Sequence, residues 1–148
     1  YRVKPMNRAC ATPPEPYTIG QLARLTGVKA VTIRYYEKAD LLPAARRTAS
    51  GYRLYSSVER DRLRFIRRCR HLGLGLDDVK ALLRLSDERE APCHQVDAII
   101  HQQREHVRDR IRDLQALEQE LDRLEGACRA ETIGECKIIE SLSRPTER

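Results

Sequence analysis

The chain has no tryptophan, one methionine and one phenylalanine, and its six tyrosines bring aromatics to only 5% of 148 residues. A core must then rest mainly on Leu, Ile, Val and Ala, a mixture that suits long helices. No apolar run approaches the ~20 residues of a membrane span. The first sixteen residues, YRVKPMNRACATPPEP, lack the apolar centre of a signal peptide. A soluble, cytoplasmic protein without a membrane partner is expected. The length excludes two large cores and leaves little room for a complex enzyme, but it accommodates one small domain plus an extended element. Five cysteines, an odd number scattered as Cys10, Cys69, Cys93, Cys128 and Cys136, exclude a secreted disulfide framework. Thiols in such a chain point to metal or redox chemistry.

Charge is distributed unevenly. Residues 17–72 hold thirteen Lys and Arg against four Asp and Glu, a net +9, whereas residues 73–148 hold twelve against seventeen, a net −5. Only the front segment suits a polyanion. Every aromatic except Tyr1 also falls in that segment, and none follows residue 72.

Four prolines within residues 1–16 deny that stretch regular hydrogen bonding, and it reads as a disordered leader in which Cys10 is dispensable. From Thr18, a capping residue, apolar positions Ile19, Leu22 and Leu25 recur at helical spacing until Gly27 closes the helix. A second short segment, AVTIRYYEKADLL, ends at Leu42-Pro43, and the pair makes a helix-turn-helix. The basic stretch ARRTASG then supplies a turn, and Tyr52-Arg53-Leu54-Tyr55 alternates as a short strand, a wing beside the helices. Ser56 caps a longer helix whose six arginines are expected to face water or phosphate, with Cys69 serving its packing. Gly73 and Gly75 break it, and LDDVKALLRL follows with two aspartates at its start.

After a polar link at residues 87–92, Cys93 opens a helical stretch reaching about Ala127. Ile100, Val107, Leu114, Leu121 and Cys128 recur every seven residues, with Ile111, Leu117 and Leu124 interleaved. At about 50 Å this helix outreaches a small domain, so its apolar stripe calls for a second chain in a coiled coil. The expected organisation is a leader at 1–16, a winged helix-turn-helix domain at 17–86, a linker and dimerisation helix at 87–128, and a loop and terminal segment at 129–148.

The run YTIGQLARLTGVKAVTIRYYEKADLLP, followed by ASGYRLYSSVERDRLRFIRRCRHLGLGLDDVKALLRL, resembles the N-terminal domain of MerR family transcriptional regulators. The resemblance implies a mainly α fold with a winged helix-turn-helix, an antiparallel coiled-coil homodimer and a terminal metal-binding loop. It also implies binding to double-stranded promoter DNA and activation, with RNA polymerase, by twisting a promoter whose elements are too far apart. The candidate DNA-binding set is Thr18, Val31, Thr32, Arg34, Tyr35, Tyr36, Lys38, Tyr52, Arg53 and Tyr55. Its cations and hydroxyls suit phosphates and groove edges. Family position favours Arg34 and Arg53. Adjacent helical residues cannot be equally exposed, so one of Tyr35 and Tyr36 is expected in the core, and Tyr55 is open to the same reading.

Cys93 and Cys128 stand 35 residues apart at opposite ends of one helix, so their sulfurs would lie about 50 Å apart within a chain. In an antiparallel dimer Cys93 of the partner subunit can approach Cys128 and Cys136, which the loop RAETIGE joins through Gly134. This resembles the metal sensors of the family. There, a serine at the head of the long helix marks copper and gold sensors, and a cysteine, as in Cys93, marks sensors of divalent zinc, cadmium, lead and mercury. Three thiolates around a divalent ion leave −1, a smaller burden in a partly buried site than the −2 left by a monovalent ion. Sulfur donors disfavour magnesium, calcium and manganese. Tetrahedral zinc or cadmium asks for a fourth ligand, for which His94 is a candidate; His101 and His106 read as surface positions. Arg129 stands where zinc sensors carry a second adjacent cysteine, which shifts weight to cadmium, lead and mercury.

Two other readings remain. Cys128 and Cys136 could form a disulfide in a redox-sensing regulator of the same fold, or the chain could be a cytosolic metal buffer that needs no DNA. No Cys/His pair with an orienting acid supports a hydrolase, so no enzyme is expected.

Overall fold

The computed structural model describes residues 13–129 and 131–146; Cys10 and the first twelve residues of the expected leader lie outside them. The chain forms two units, one ending at Val96 and the other beginning at Asp97. Among the described residues no helix is long and apolar enough to cross a membrane.

The first unit builds its core from short helices whose ends are fixed locally. Helix α1 (Ile19–Thr26) opens on a capping box in which Thr18 accepts from the Gln21 amide and the Gln21 side chain accepts from the Thr18 amide. It closes at Gly27, whose φ of 68° permits the turn into α2 (Ala30–Lys38). Helix α2 ends four residues before Leu42. Asp40 takes the left-handed conformation, and the amides of Asp40 and Leu41 donate to Glu37 and Tyr36, a helix-terminating turn made without glycine. That turn drops Leu41 and Leu42 into the core.

The wing is a hairpin of β1 (Arg46–Arg47) and β2 (Arg53–Leu54), antiparallel with Arg46 opposite Leu54. Part of the stretch expected as a turn is thus strand; the turn itself is Thr48–Gly51, closed by Thr48 accepting from Gly51 and donating to Tyr52. Tyr17 extends the pairing by exchanging both main-chain hydrogen bonds with Tyr55. Within the expected leader, Glu15 accepts from the Ser57 amide at 2.9 Å.

Helix α3 (Ser57–His71) starts on a second capping box, Ser56 with Glu59, and α4 (Leu76–Asp87) follows the Gly73 turn. Leu63, Ile66 and Cys69 place one face of α3 in the core, where they join the fully buried Leu22, Ile33, Leu41, Leu74 and Val79. Burying each large aliphatic side chain contributes about 1.5–3 kcal/mol. Of the six α3 arginines expected to face water or phosphate, Arg64, Arg67, Arg68 and Arg70 are exposed, whereas Arg60 and Arg62 are half-buried, and several also bond the chain itself. Arg62 donates to the Leu41 carbonyl at 2.8 Å, Arg67 to the Thr26 carbonyl at 3.2 Å, Arg70 to the Leu74 carbonyl at 2.8 Å and Arg60 to the Tyr17 hydroxyl at 3.1 Å. Turns that leave carbonyls without helical partners engage the guanidiniums of Arg62, Arg67 and Arg70, of which Arg62 is half-buried while Arg67 and Arg70 remain exposed.

Helix α5 (His94–Glu125) rises about 48 Å, at 1.5 Å per residue, and buries none of its side chains. Ile100, Val107, Ile111, Leu114, Leu117 and Leu121 keep 45–57% of their surface exposed. Its polar positions form ion pairs three residues apart, Glu105 with Arg108, Asp109 with Arg112 and Glu120 with Arg123. Acid ahead of base is the order that favours a helix, at about 0.2–0.5 kcal/mol per pair. Beyond it come a short 3-10 turn (Ile133–Glu135) and α6 (Lys137–Leu142).

Candidate nucleic-acid interface and thiol pair

Helix α2 buries Ile33 and Tyr36 and turns the rest outward: Val31 is 74% exposed, Tyr35 is 52% exposed, and Arg34 and Lys38 are exposed, with Thr32 half-buried at the margin. A groove of about 370 Å³ runs between the start of α1 and the wing, lined by Thr18, Ile19, Arg34, Arg47, Gly51, Tyr52 and Arg53. Three guanidiniums from α2, β1 and β2 therefore converge on one concavity, with the exposed Tyr52 at its side. Such a cleft fits phosphate oxygens by charge and by forked donors. Arg47 escaped the sequence reading because it sits in a stretch with no apolar alternation; its charge was visible but its strand was not.

Tyr36 and Tyr55 differ from the other candidates. Both are buried, and the Tyr55 hydroxyl donates to Glu37. Burial, then the bond to Glu37, push the Tyr55 phenol well above its ordinary value, so it stays a neutral donor. Neither ring presents a surface to a ligand; Tyr36 fills the core under α2, with its ring 6.0 Å from that of Tyr35. Thr18 is exposed, but its hydroxyl already accepts the Gln21 amide. Glu37, not foreseen as functional, joins α2 to the wing through Tyr55 and through Arg53, whose Nε lies 3.7 Å from Glu37 Oε2.

In the second unit the loop after α5 folds back so that the Cys128 thiol donates to the Cys136 sulfur at 3.3 Å, both side chains half-buried. The Ile139 amide at the start of α6, together with the Cys128 thiol, holds the Cys136 thiol below its ordinary value and favours the thiolate. Cys93 and His94 are exposed at the head of α5, in the other unit. Among the described residues of one chain, no three His, Cys, Asp or Glu side chains cluster as a metal site. Cys69 is buried in the core, and burial raises its thiol.

A basic groove between a helix-turn-helix and a small hairpin wing defines a DNA-binding regulator of transcription, not an enzyme. Residues 17–86 match the family of MerR HTH regulatory proteins and residues 60–124 match the MerR DNA-binding family, and the chain belongs to the MerR family of transcriptional regulators. It is 40% identical over 129 residues to the mercuric resistance operon regulatory protein of Bacillus cereus, covering 86% of this chain and 98% of that one. It is 37% identical over 131 residues to the transcriptional regulator ZntR of Escherichia coli K12, covering 86% and 93%. Among solved structures, the transcription regulator PbrR691 from Ralstonia metallidurans CH34 in complex with lead(II) superposes with a TM-score of 0.77 at 39% identity, covering 86% of this chain and 99% of that one.

Proposed function

We propose that the protein is a cytoplasmic, metal-responsive regulator that binds promoter DNA as a homodimer and activates transcription when a soft divalent ion binds. The observation that carries this reading is the Cys128–Cys136 pair, two sulfurs 3.3 Å apart on a loop, with Cys93 placed at the head of a helix that needs a partner chain. A relative named for mercuric resistance, and one whose structure holds lead(II), support a soft ion. Two thiols, one of them poised toward thiolate, fit cadmium, lead, mercury or zinc and do not fit hard cations.

In this reading the exposed stripe of α5 pairs with the partner subunit in an antiparallel coiled coil. Cys93 of the partner subunit completes the ligand set with Cys128 and Cys136, and His94 is a candidate fourth ligand. A bound ion would cross-link the two subunits; the chain supplies the soft donors and a short loop that keeps two of them together. On the DNA, Val31, Thr32, Arg34, Tyr35 and Lys38 present α2 to the major groove, while Thr18, Tyr52 and Arg53 hold phosphates. Tyr36 and Tyr55 support these residues from beneath. Metal capture shifts the paired domains and the promoter they hold, so that RNA polymerase can engage both of its elements. Organisation into a leader, a DNA-binding domain to residue 86, a dimerisation segment to 128 and a terminal metal loop follows from this assignment.

The test is transcription from a target promoter with Cys93→Ser. Loss of cadmium, lead, mercury and zinc induction with DNA binding intact is expected; unchanged induction contradicts the site. A redox reading has one observation in its favour, since the same 3.3 Å spacing allows a disulfide. Induction by an oxidant in metal-free medium would favour it.

A further inference from the structure

The side chain of Glu37, at the end of α2, is only 11% exposed and makes both of its contacts with the wing. One carboxylate oxygen accepts from the Tyr55 hydroxyl, and the other lies 3.7 Å from Arg53 Nε. Tyr55 is itself pinned by its two main-chain bonds with Tyr17 at 2.7 and 2.9 Å. Arg53 shares its groove with Arg34 and Arg47, so Glu37 is an anion set behind a cluster of cations that would otherwise repel one another. The Tyr55 phenol, raised by burial and by its bond to Glu37, stays protonated and keeps donating to that side chain at physiological pH.

We propose that Glu37 is a positioning residue for DNA recognition, fixing the wing arginine Arg53 against helix α2 so that wing and helix address one duplex as a single rigid reader. The proposal rests on the DNA-binding reading above. A guanidinium held in one place favours a duplex whose sequence-dependent backbone shape sets a phosphate there, and penalises one that must deform to reach it. It does so against bulk charge: a carboxylate beside Arg53 weakens the general attraction to any polyanion. Glu37 thus trades affinity for discrimination.

The two effects have opposite signs on two probes. The full chain would be titrated with a duplex that the wild-type protein selects from a randomised pool, and with a scrambled duplex of the same composition. Glu37→Gln keeps an acceptor for Tyr55 and removes the charge. It should weaken the selected duplex about tenfold while the scrambled duplex binds as well or more tightly, collapsing the ratio of the two. A purely structural defect would weaken both together. In an Arg53→Gln background, Glu37→Gln should leave the ratio where Arg53→Gln alone puts it, since Glu37 acts through that arginine. Tyr55→Phe, which leaves every charge in place, should lower the ratio less than Glu37→Gln and serves if the latter fails to fold. An unchanged ratio in Glu37→Gln, parallel loss on both duplexes, or additive losses in the double variant would overturn the proposal alone. A wild-type protein that selects no duplex would overturn the DNA reading with it.

Discussion

Tyr55 shows how one buried hydroxyl ties stability to pH. Its phenol is raised in the fold, so the proton is held more tightly in the native chain than in the unfolded one. The stability this contributes is whole below the ordinary phenol value of about 10 and drains away as pH climbs from there toward the raised value. Urea midpoints measured across the alkaline range should therefore fall, and Tyr55→Phe should flatten that fall; an equal alkaline loss in the variant would contradict the assignment. Gly27 makes a second residue-scale case. Its φ of 68° disfavours any other residue, and a Cβ there would lie 2.7 Å from Arg67 Nη1. Gly27→Ala should cost about 1–3 kcal/mol in denaturant unfolding. An unchanged unfolding midpoint would mean that the turn tolerates a side chain.

Elements whose ends carry chemistry were readable from sequence. Thr18 and Ser56 announce helix starts because a hydroxyl can replace the missing carbonyl, and both form capping boxes. The seven-residue stripe announced α5 because period alone fixes which face is apolar. What escaped depended on tertiary context. Helix α2 stops at Lys38, and Asp40 just beyond it takes a conformation usually left to glycine; β1 is two arginines with no alternation to mark them. The bonds of Arg62, Arg67 and Arg70 follow from carbonyls freed in three separate turns, a pattern no local window contains. At the thiol pair, Gly134 was expected to permit the reversal, but it sits in the 3-10 turn without a positive φ, and the role of the Ile139 amide needed the fold.

Element-scale predictions follow from the same distinction. Leu63→Ala empties a fully buried site on α3 and should lower stability by about 2–5 kcal/mol in denaturant unfolding. Leu117 is 55% exposed on α5, so Leu117→Glu costs the isolated chain little. It should nonetheless convert the dimer to monomer in sedimentation at micromolar protein, because it would bury a charge in the coiled coil. A variant that remains dimeric would place the interface elsewhere.

At the scale of the molecule, charge and sulfur are separated along the chain. The front holds the +9 segment and the groove of Arg34, Arg47 and Arg53; the rear is acidic and carries the thiol pair. Helix α5 begins in the first unit and continues into the second, so it is the element through which the proposed response to an ion at the thiol pair would pass.

The central claim is that sulfurs from two subunits hold one ion, and mixed dimers test it most directly. One chain would carry Cys93→Ser and the other Cys128→Ser with Cys136→Ser, each tagged so that only the mixed species is isolated. Neither homodimer then has a complete site in either arrangement, but the mixed dimer regains one whole site if ligands are shared between chains. Thiolate-to-metal absorption with cadmium or mercury should return to half the wild-type intensity per dimer. Absorption no greater than that of the two parent homodimers would contradict a site shared between subunits.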